Sequence, residues 1–218
     1  MTKSERKKKK RMRLKNKKLI KMYPWLIPRN VWTGEVTKGF DYTWHEFRAM
    51  GKGWWKAFGL MLCRDIQQEL EKYHYVDKFK IDDCKEKYGE LRVYCAAPGD
   101  INRIIDKYSH CSRHICCDCG KPDVPIIDTG WILPICKECF EKQEWTKRST
   151  KSYENFVVDT NEITISYDVK HYSKEQGDWI ETIDVEDIVN EIRQNWKKRE
   201  HKKERDRKRL QRIRGNDG

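Results

Sequence analysis

The sequence predicts an α+β fold: a small helix–hairpin–helix layer, then a four-cysteine module, then a C-terminal strand–helix region. Three observations carry this. Apolar residues recur at three- and four-residue steps over 54–73, two alternating runs follow at 75–84 and 91–95, and two CxxC pairs stand sixteen residues apart. A chain of 218 residues is long enough to bury a core, and nine Trp, ten Tyr and six Phe argue for a packed body although 38% of residues are charged.

Residues 1–21 show no sustained apolar period and read as a basic tail or a marginal helix. Tyr23-Pro24-Trp25-Leu26-Ile27-Pro28-Arg29-Asn30 reads as an extended apolar segment, because each Pro removes a donor and biases the residue before it away from helix. Val31-Trp32-Thr33-Gly34 reads as a turn. A short helix is expected over 42–50, with Asp41 as its cap and Trp44 and Phe47 on one side. Trp54, Phe58, Met61, Leu62, Ile66 and Leu70 then mark an amphipathic helix.

The two alternating runs predict a hairpin turning at Gly89-Glu90, with 85–88 in its second half or its loop. Pro98-Gly99 stops it. Asp100 is placed to cap a helix with Ile101, Ile104, Ile105 and Tyr108 along its buried stripe. Farther on, 156–158, 162–169 and 178–183 read as strands. Residues 184–196 read as a helix with Val185, Ile188, Val189, Ile192 and Trp196 on one side, and 197–214 as an exposed helical extension or a tail. The expected organisation is a basic tail (1–21), an α+β region (22–110), the cysteine module (111–145), a strand–helix region (146–196) and a basic extension (197–218).

Cys116-Cys117-Asp118-Cys119-Gly120-Lys121-Pro122 and Cys136-Lys137-Glu138-Cys139 have the spacing of a zinc ribbon. Each CxxC turn can aim two sulfurs inward, so Cys116, Cys119, Cys136 and Cys139 are the predicted ligands of a structural zinc ion. Trp131, Ile132 and Leu133 are the expected apolar support. Neighbouring side chains rarely both hold one tetrahedral ion, which leaves Cys117 ambiguous, and Cys111 and His114 lie near enough in sequence to replace one ligand. Cys63, Cys84 and Cys95 lie on amphipathic elements and read as small buried hydrophobes. A site of four thiolates keeps no open position for a catalytic water.

Charge is divided unevenly. Residues 1–21 carry +11 and 193–214 carry +9, which with Asp217 leaves about −7 on 22–192 out of the formal +12. Lys7, Lys8, Lys9, Lys10 and Arg11 at one end, and Arg205, Arg207, Lys208 and Arg209 at the other, are the candidate contacts to DNA or RNA phosphates. Such contacts weaken with salt and do not read base sequence. Trp25, Trp32, Trp44, Trp54 and Trp55 offer stacking platforms, although helical spacing assigns Trp54 to the core.

The chain carries no HExxH, GxGxxG, Walker A or GxSxG pattern. Asp82, Asp83 and Glu86 superficially suit a metal-dependent nuclease, and His45 with Glu46 suits acid–base chemistry; exposed charge on a hairpin and a helix explains both pairings more simply. The basic start runs into no apolar stretch, and no 18-residue apolar segment follows. A protein that is neither secreted nor membrane-spanning is therefore expected, and clustered free thiols fit a reducing interior.

Tyr23 to Asn30, the segment Gly53-Trp54-Trp55-Lys56-Ala57-Phe58-Gly59, Lys85-Glu86-Lys87-Tyr88-Gly89-Glu90-Leu91-Arg92 and the two knuckles together resemble a group of uncharacterised bacteriophage and prophage zinc-ribbon proteins. The resemblance covers about residues 23–142. It implies a zinc protein acting in the cytoplasm of a bacterial host and brings no catalytic residues. The expectation is a non-enzymatic protein whose basic ends contact nucleic acid or a nucleoprotein assembly. The alternatives are a protein-interaction or self-assembling role on a host or phage protein, and a metal-dependent nuclease.

Overall fold

The computed structural model describes residues 1–30, 32–143, 152–158, 169–173, 178–183 and 185–215, and the fold is mixed α+β. Of the two alternatives for the basic N-terminus, tail or marginal helix, the chain takes the second, as α1 (Lys3–Met22). Its start is fixed by a capping box: the Glu5 amide donates to Thr2 Oγ1 at 3.2 Å while the Thr2 amide donates to Glu5 Oε2 at 2.7 Å. Its end is fixed by burial of Leu19 and Ile20, and Asn16 donates to the Tyr42 carbonyl at 2.9 Å.

The segment after α1 turns instead of extending. Pro24–Leu26 form a 3₁₀ helix that drives Trp25 and Leu26 into the core, where Trp25 Nε1 donates to Gln67 Oε1 at 2.9 Å. The helix expected over 42–50 shrinks to a 3₁₀ turn, Glu46–Ala49. Asp41 cannot cap it, because its carboxylate accepts from the Thr43 amide and pairs with Arg13.

The amphipathic stripe forms α2 (Lys52–Trp54), a π-helical turn (Trp55–Gly59) and α3 (Leu60–Lys72). Gly59 lies against the Trp55 ring, where a Cβ would collide with it. Trp54, Phe58, Leu62, Ile66 and Leu70 are buried, as the spacing predicts.

Strands β1 (Ile81–Lys87) and β2 (Glu90–Cys95) pair antiparallel with Lys87 opposite Glu90. The turn is therefore Tyr88-Gly89, one residue earlier than predicted, and both residues have positive φ (54° and 76°) as a two-residue primed turn requires. Lys85, Glu86 and Lys87 belong to the first strand. Residues 75–80 are not strand, since the Tyr75 amide donates to Leu70 O and the Phe79 amide to Tyr75 O. Helix α4 (Ile101–Ser112) follows, and Asp100 makes no side-chain capping bond. Ser112 Oγ accepts from the Leu91 amide at 2.8 Å and ties hairpin to helix, while Tyr108 donates to Asp65 on α3 at 2.5 Å.

Two short strands, β3 (Ile126–Asp128) and β4 (Ile132–Pro134), form a second antiparallel hairpin ahead of α5 (Lys137–Phe140). Of the predicted later strands, Phe156 falls in a 3₁₀ helix, Tyr153–Phe156, and Val157 makes an isolated bridge to Ile127. Residues 162–168 lie outside the described residues. Strand β5 (Val169–Ser173) pairs antiparallel with β6 (Asp178–Ile183), the latter as predicted. Helix α6 (Glu186–Gly215) continues well beyond the predicted stripe. Val185, Val189 and Ile192 join the same core as α1, α3 and α4, so the C-terminal helix is built into the main body.

Candidate metal centre

The first cysteine knuckle follows directly from the end of α4. The Cys116 amide donates to Lys121 O at 2.8 Å and the Gly120 amide returns to Cys116 O at 2.9 Å. Gly120 has φ +82°, which a side chain would resist, and this lets the chain reverse behind Cys119. The second knuckle begins where Cys136 caps α5, whose first turn carries Cys139 one residue past Glu138. The Cys117 amide donates to Pro134 O at 2.9 Å and sews the first knuckle to β4. Sequence-distant pairs thereby converge.

The sulfurs of Cys116, Cys119, Cys136 and Cys139 all lie within 4.8 Å of one another. Cys119 and Cys136 Sγ are 3.7 Å apart. A tetrahedron with zinc–sulfur bonds of about 2.3 Å has an edge of about 3.8 Å, whereas a disulfide needs about 2.05 Å. The group is thus able to hold a metal ion, and all four thiols are free.

Its electrostatics also call for a cation. Burial raises the Cys116 thiol, but amides of Cys119, Cys136 and Asp118 directed at its sulfur outweigh that and leave its pKa below the ordinary value. Burial, then the neighbouring Cys116, push the Cys139 thiol up to about 12 and Cys136 upward as well. One thiolate is favoured and the next are resisted until positive charge sits among them. Lys121 pairs with Glu138 at 3.2 Å, joining the two knuckles at their exposed side.

The apolar support differs from expectation. Val124, Ile127, Ile135 and Phe140 are buried around the cysteines, and Phe140 packs on Tyr153 and Phe156 at 5.2 and 5.6 Å between ring centres. Trp131 is 63% exposed at the hairpin tip, where its Nε1 donates to Glu86 Oε2 at 3.2 Å. A tip residue has no core above it, whatever its hydrophobicity. Ile132 and Leu133 are partly buried.

The other sulfurs and imidazoles are placed elsewhere. Cys117 packs between the module and the main core, with its thiol pushed up to about 12 by burial. Cys111 is buried on α4 in the main core, and burial lowers His114 to about 4. Neither belongs to the four-sulfur group. Cys63 and Cys84 are buried in the core as expected, and Cys95 is half-buried beside it.

Gly53 and Trp54 seat the module on the body. The Gly53 amide donates to Cys117 O at 2.7 Å, and Trp54 Nε1 donates to Ile115 O at 2.8 Å in a buried bond. Gly53 was not singled out from sequence as a contact to the knuckle. The Gly-x-Gly-Trp run that opens α2 was the available signal.

The remaining candidates separate. Among the described residues, the cysteines form the one group suited to a metal ion. Asp82 pairs with Lys80, Asp83 with Lys85, and Glu86 accepts from Gly89 and Trp131. His45 is half-buried against Trp55, with ring centres 4.5 Å apart, and Glu46 accepts from the Arg29 amide. Trp25 and Trp54 are core, Trp44 and Trp55 half-buried, and Trp32 94% exposed.

On α1, Lys7, Lys8, Lys10 and Arg11 are exposed, whereas Lys9 turns inward to Asp41 at 3.3 Å. On α6, Arg205 and Arg209 are exposed, and Arg207 and Lys208 pair with Glu204 at 2.9 and 3.7 Å. No described helix is long and apolar enough to cross a membrane. No family model, no curated protein and no solved structure matches the chain.

Proposed function

We propose that this is a non-enzymatic, zinc-stabilised protein that binds nucleic acid, alone or in a nucleoprotein assembly, through basic helices. The observation that carries it is the solvent face of α1. Lys7, Lys10, Arg11, Lys18 and Lys21 recur at helical spacing along that face and are exposed, opposite the face that docks through Asn16 and Ile20. A 20-residue helix is about 30 Å long, so the stripe matches a run of phosphates on one strand face. Arg205 and Arg209, one turn apart on α6, would add a second set of contacts.

Zinc is the ion proposed for the cysteine group because four thiolates at near-tetrahedral spacing suit it best. Such a site is closed, and its role would be to lock the knuckles against α2. The resemblance to phage and prophage proteins supports a setting inside a bacterial cell. Binding of duplex DNA, single-stranded DNA and RNA at low and moderate salt tests the proposal. It predicts binding that weakens steeply with salt, and no binding at low salt would end it.

The protein-interaction alternative draws on Trp32, 94% exposed on a turn held by the Asn30 side chain. It predicts a complex that survives moderate salt and tolerates neutralising α1.

A further inference from the structure

A groove of about 380 Å³ lies between the π-helical turn and the middle of α6. Its apolar side includes Trp55, Leu60 and Met61; its basic side is Lys198, Arg199 and Lys202, with Lys56 contributed by the turn. No Asp or Glu is among its lining residues. The neighbouring cations of α6 differ, since Lys203, Arg207 and Lys208 are each paired with Glu200 or Glu204.

Arg199 is held by one hydrogen bond and by the Trp196 ring, 5.4 Å from its guanidinium carbon. Its Nη1 donates to the Lys56 carbonyl at 2.6 Å, while Nε and Nη2 are shielded from water and meet no acceptor among the described residues. Those two nitrogens form one edge of the guanidinium fork, the edge that takes two oxygens of a phosphate or carboxylate at once. Donors left this way are costly unless an acceptor arrives. The backbone bond anchors the guanidinium, that edge must come out of cover to meet an acceptor, and two lysines add charge beside it.

We infer that this groove holds a phosphate of single-stranded nucleic acid, with its oxygens on the Nε/Nη2 edge of Arg199 and beside Lys198 and Lys202. The apolar wall decides between strand types. Leu60, 57% exposed on that wall, can pack against an unstacked base, which a duplex keeps inside its stack. The inference rests on the nucleic-acid proposal above and adds to it a site and a preference for the single strand.

Fluorescence anisotropy with a labelled ten-nucleotide strand and a matching duplex, on the full chain, provides the test. Arg199→Gln/Lys202→Gln is expected to weaken strand binding about tenfold and to lower its salt slope by about one. Duplex binding should change less than about twofold, because α1 carries it. Lys198→Gln/Lys202→Gln leaves the Arg199–Lys56 bond intact and should show the same selective loss without altered melting. Strand binding that is unchanged in both variants would overturn the groove and leave the nucleic-acid proposal standing.

If the unaltered chain binds no nucleic acid, that proposal fails and the groove is judged by a 5′-mononucleotide alone. An Arg199 Nε–H resonance that shifts on titration would support the phosphate site. A resonance that stays put would overturn it.

Discussion

The amide of Gly53 donates to the carbonyl of Cys117 at 2.7 Å, so the helix that organises the core starts on the first cysteine knuckle. The two backbones are nearly in contact there. A Cβ on Gly53 would run into the Cys116 carbonyl, and one on Gly120 would come within 2.6 Å of the Gly53 carbonyl. Beside them, Trp54 spends its indole N–H on Ile115. The cysteine module is therefore part of the body's architecture, and a metal ion held by its four cysteines would be coupled to the packing of α2.

Gly53→Ala should accordingly be a severe change although Ala favours helix. The atoms in its way are backbone, which cannot swing aside as a long side chain can. A loss of about 2–3 kcal/mol is expected, at the upper end for overpacking. Denaturant unfolding in excess zinc measures it, and a midpoint equal to that of the unaltered chain would show that knuckle and helix separate freely.

Replacing single cysteines should divide them sharply. Cys139→Ser removes one of four converging sulfurs, and about one zinc per chain should be lost together with cooperative unfolding of the knuckles. Cys117→Ser touches a sulfur outside the group and should keep the metal. Elemental analysis of reduced, purified protein and melting with and without chelator read both outcomes. Retained metal in Cys139→Ser, or lost metal in Cys117→Ser, would move the site.

The four-cysteine group was legible because each CxxC pair is local and its spacing is chemical. The α2–α3 stripe was legible because Trp54, Phe58, Leu62, Ile66 and Leu70 carry their burial in their spacing. What escaped depended on partners distant in sequence. Nothing near Gly53 announces Cys117, and Trp131 gave no sign of lying at an exposed tip beside Glu86. Helix α1 was legible only as an alternative to a tail: Thr2-Lys3-Ser4-Glu5 is a capping-box pattern, set against a run of lysines with no apolar period. Asp41 looked like a cap until Arg13, supplied by that helix, occupied it.

Acid should weaken the fold through His45. Burial against Trp55, then the charge of Lys15, lowers its pKa from 6.5 to about 4. The unfolded chain takes up the proton first, so the stabilisation is whole above pH 6.5 and is lost as pH falls toward 4. The loss amounts to at most about 3 kcal/mol. His45→Gln should flatten this part of the profile, so the gap between the two proteins narrows or reverses on going from neutral pH to mild acid. Urea unfolding at a series of pH values, in excess zinc, follows it. Parallel profiles would mean that the imidazole is open to water.

The solvent face of α1 gives the sharpest quantitative expectation. Lys7, Lys8, Lys10 and Arg11 are exposed, while Lys9 and Arg13 are turned to Asp41. Neutralising the first four to Gln should leave melting nearly unchanged, because exposed charges contribute little to stability. It should also lower the slope of log affinity against log salt on duplex DNA by about three to four, one phosphate for each cation removed. Lys9→Gln alone should do the reverse, loosening the contact of α1 with Asp41 while changing the salt slope by less than about one. The two variants thus separate cations that face a polyanion from cations that hold the helix down. Equal salt slopes in the fourfold variant and the unaltered chain would show that this stripe is not where phosphates bind.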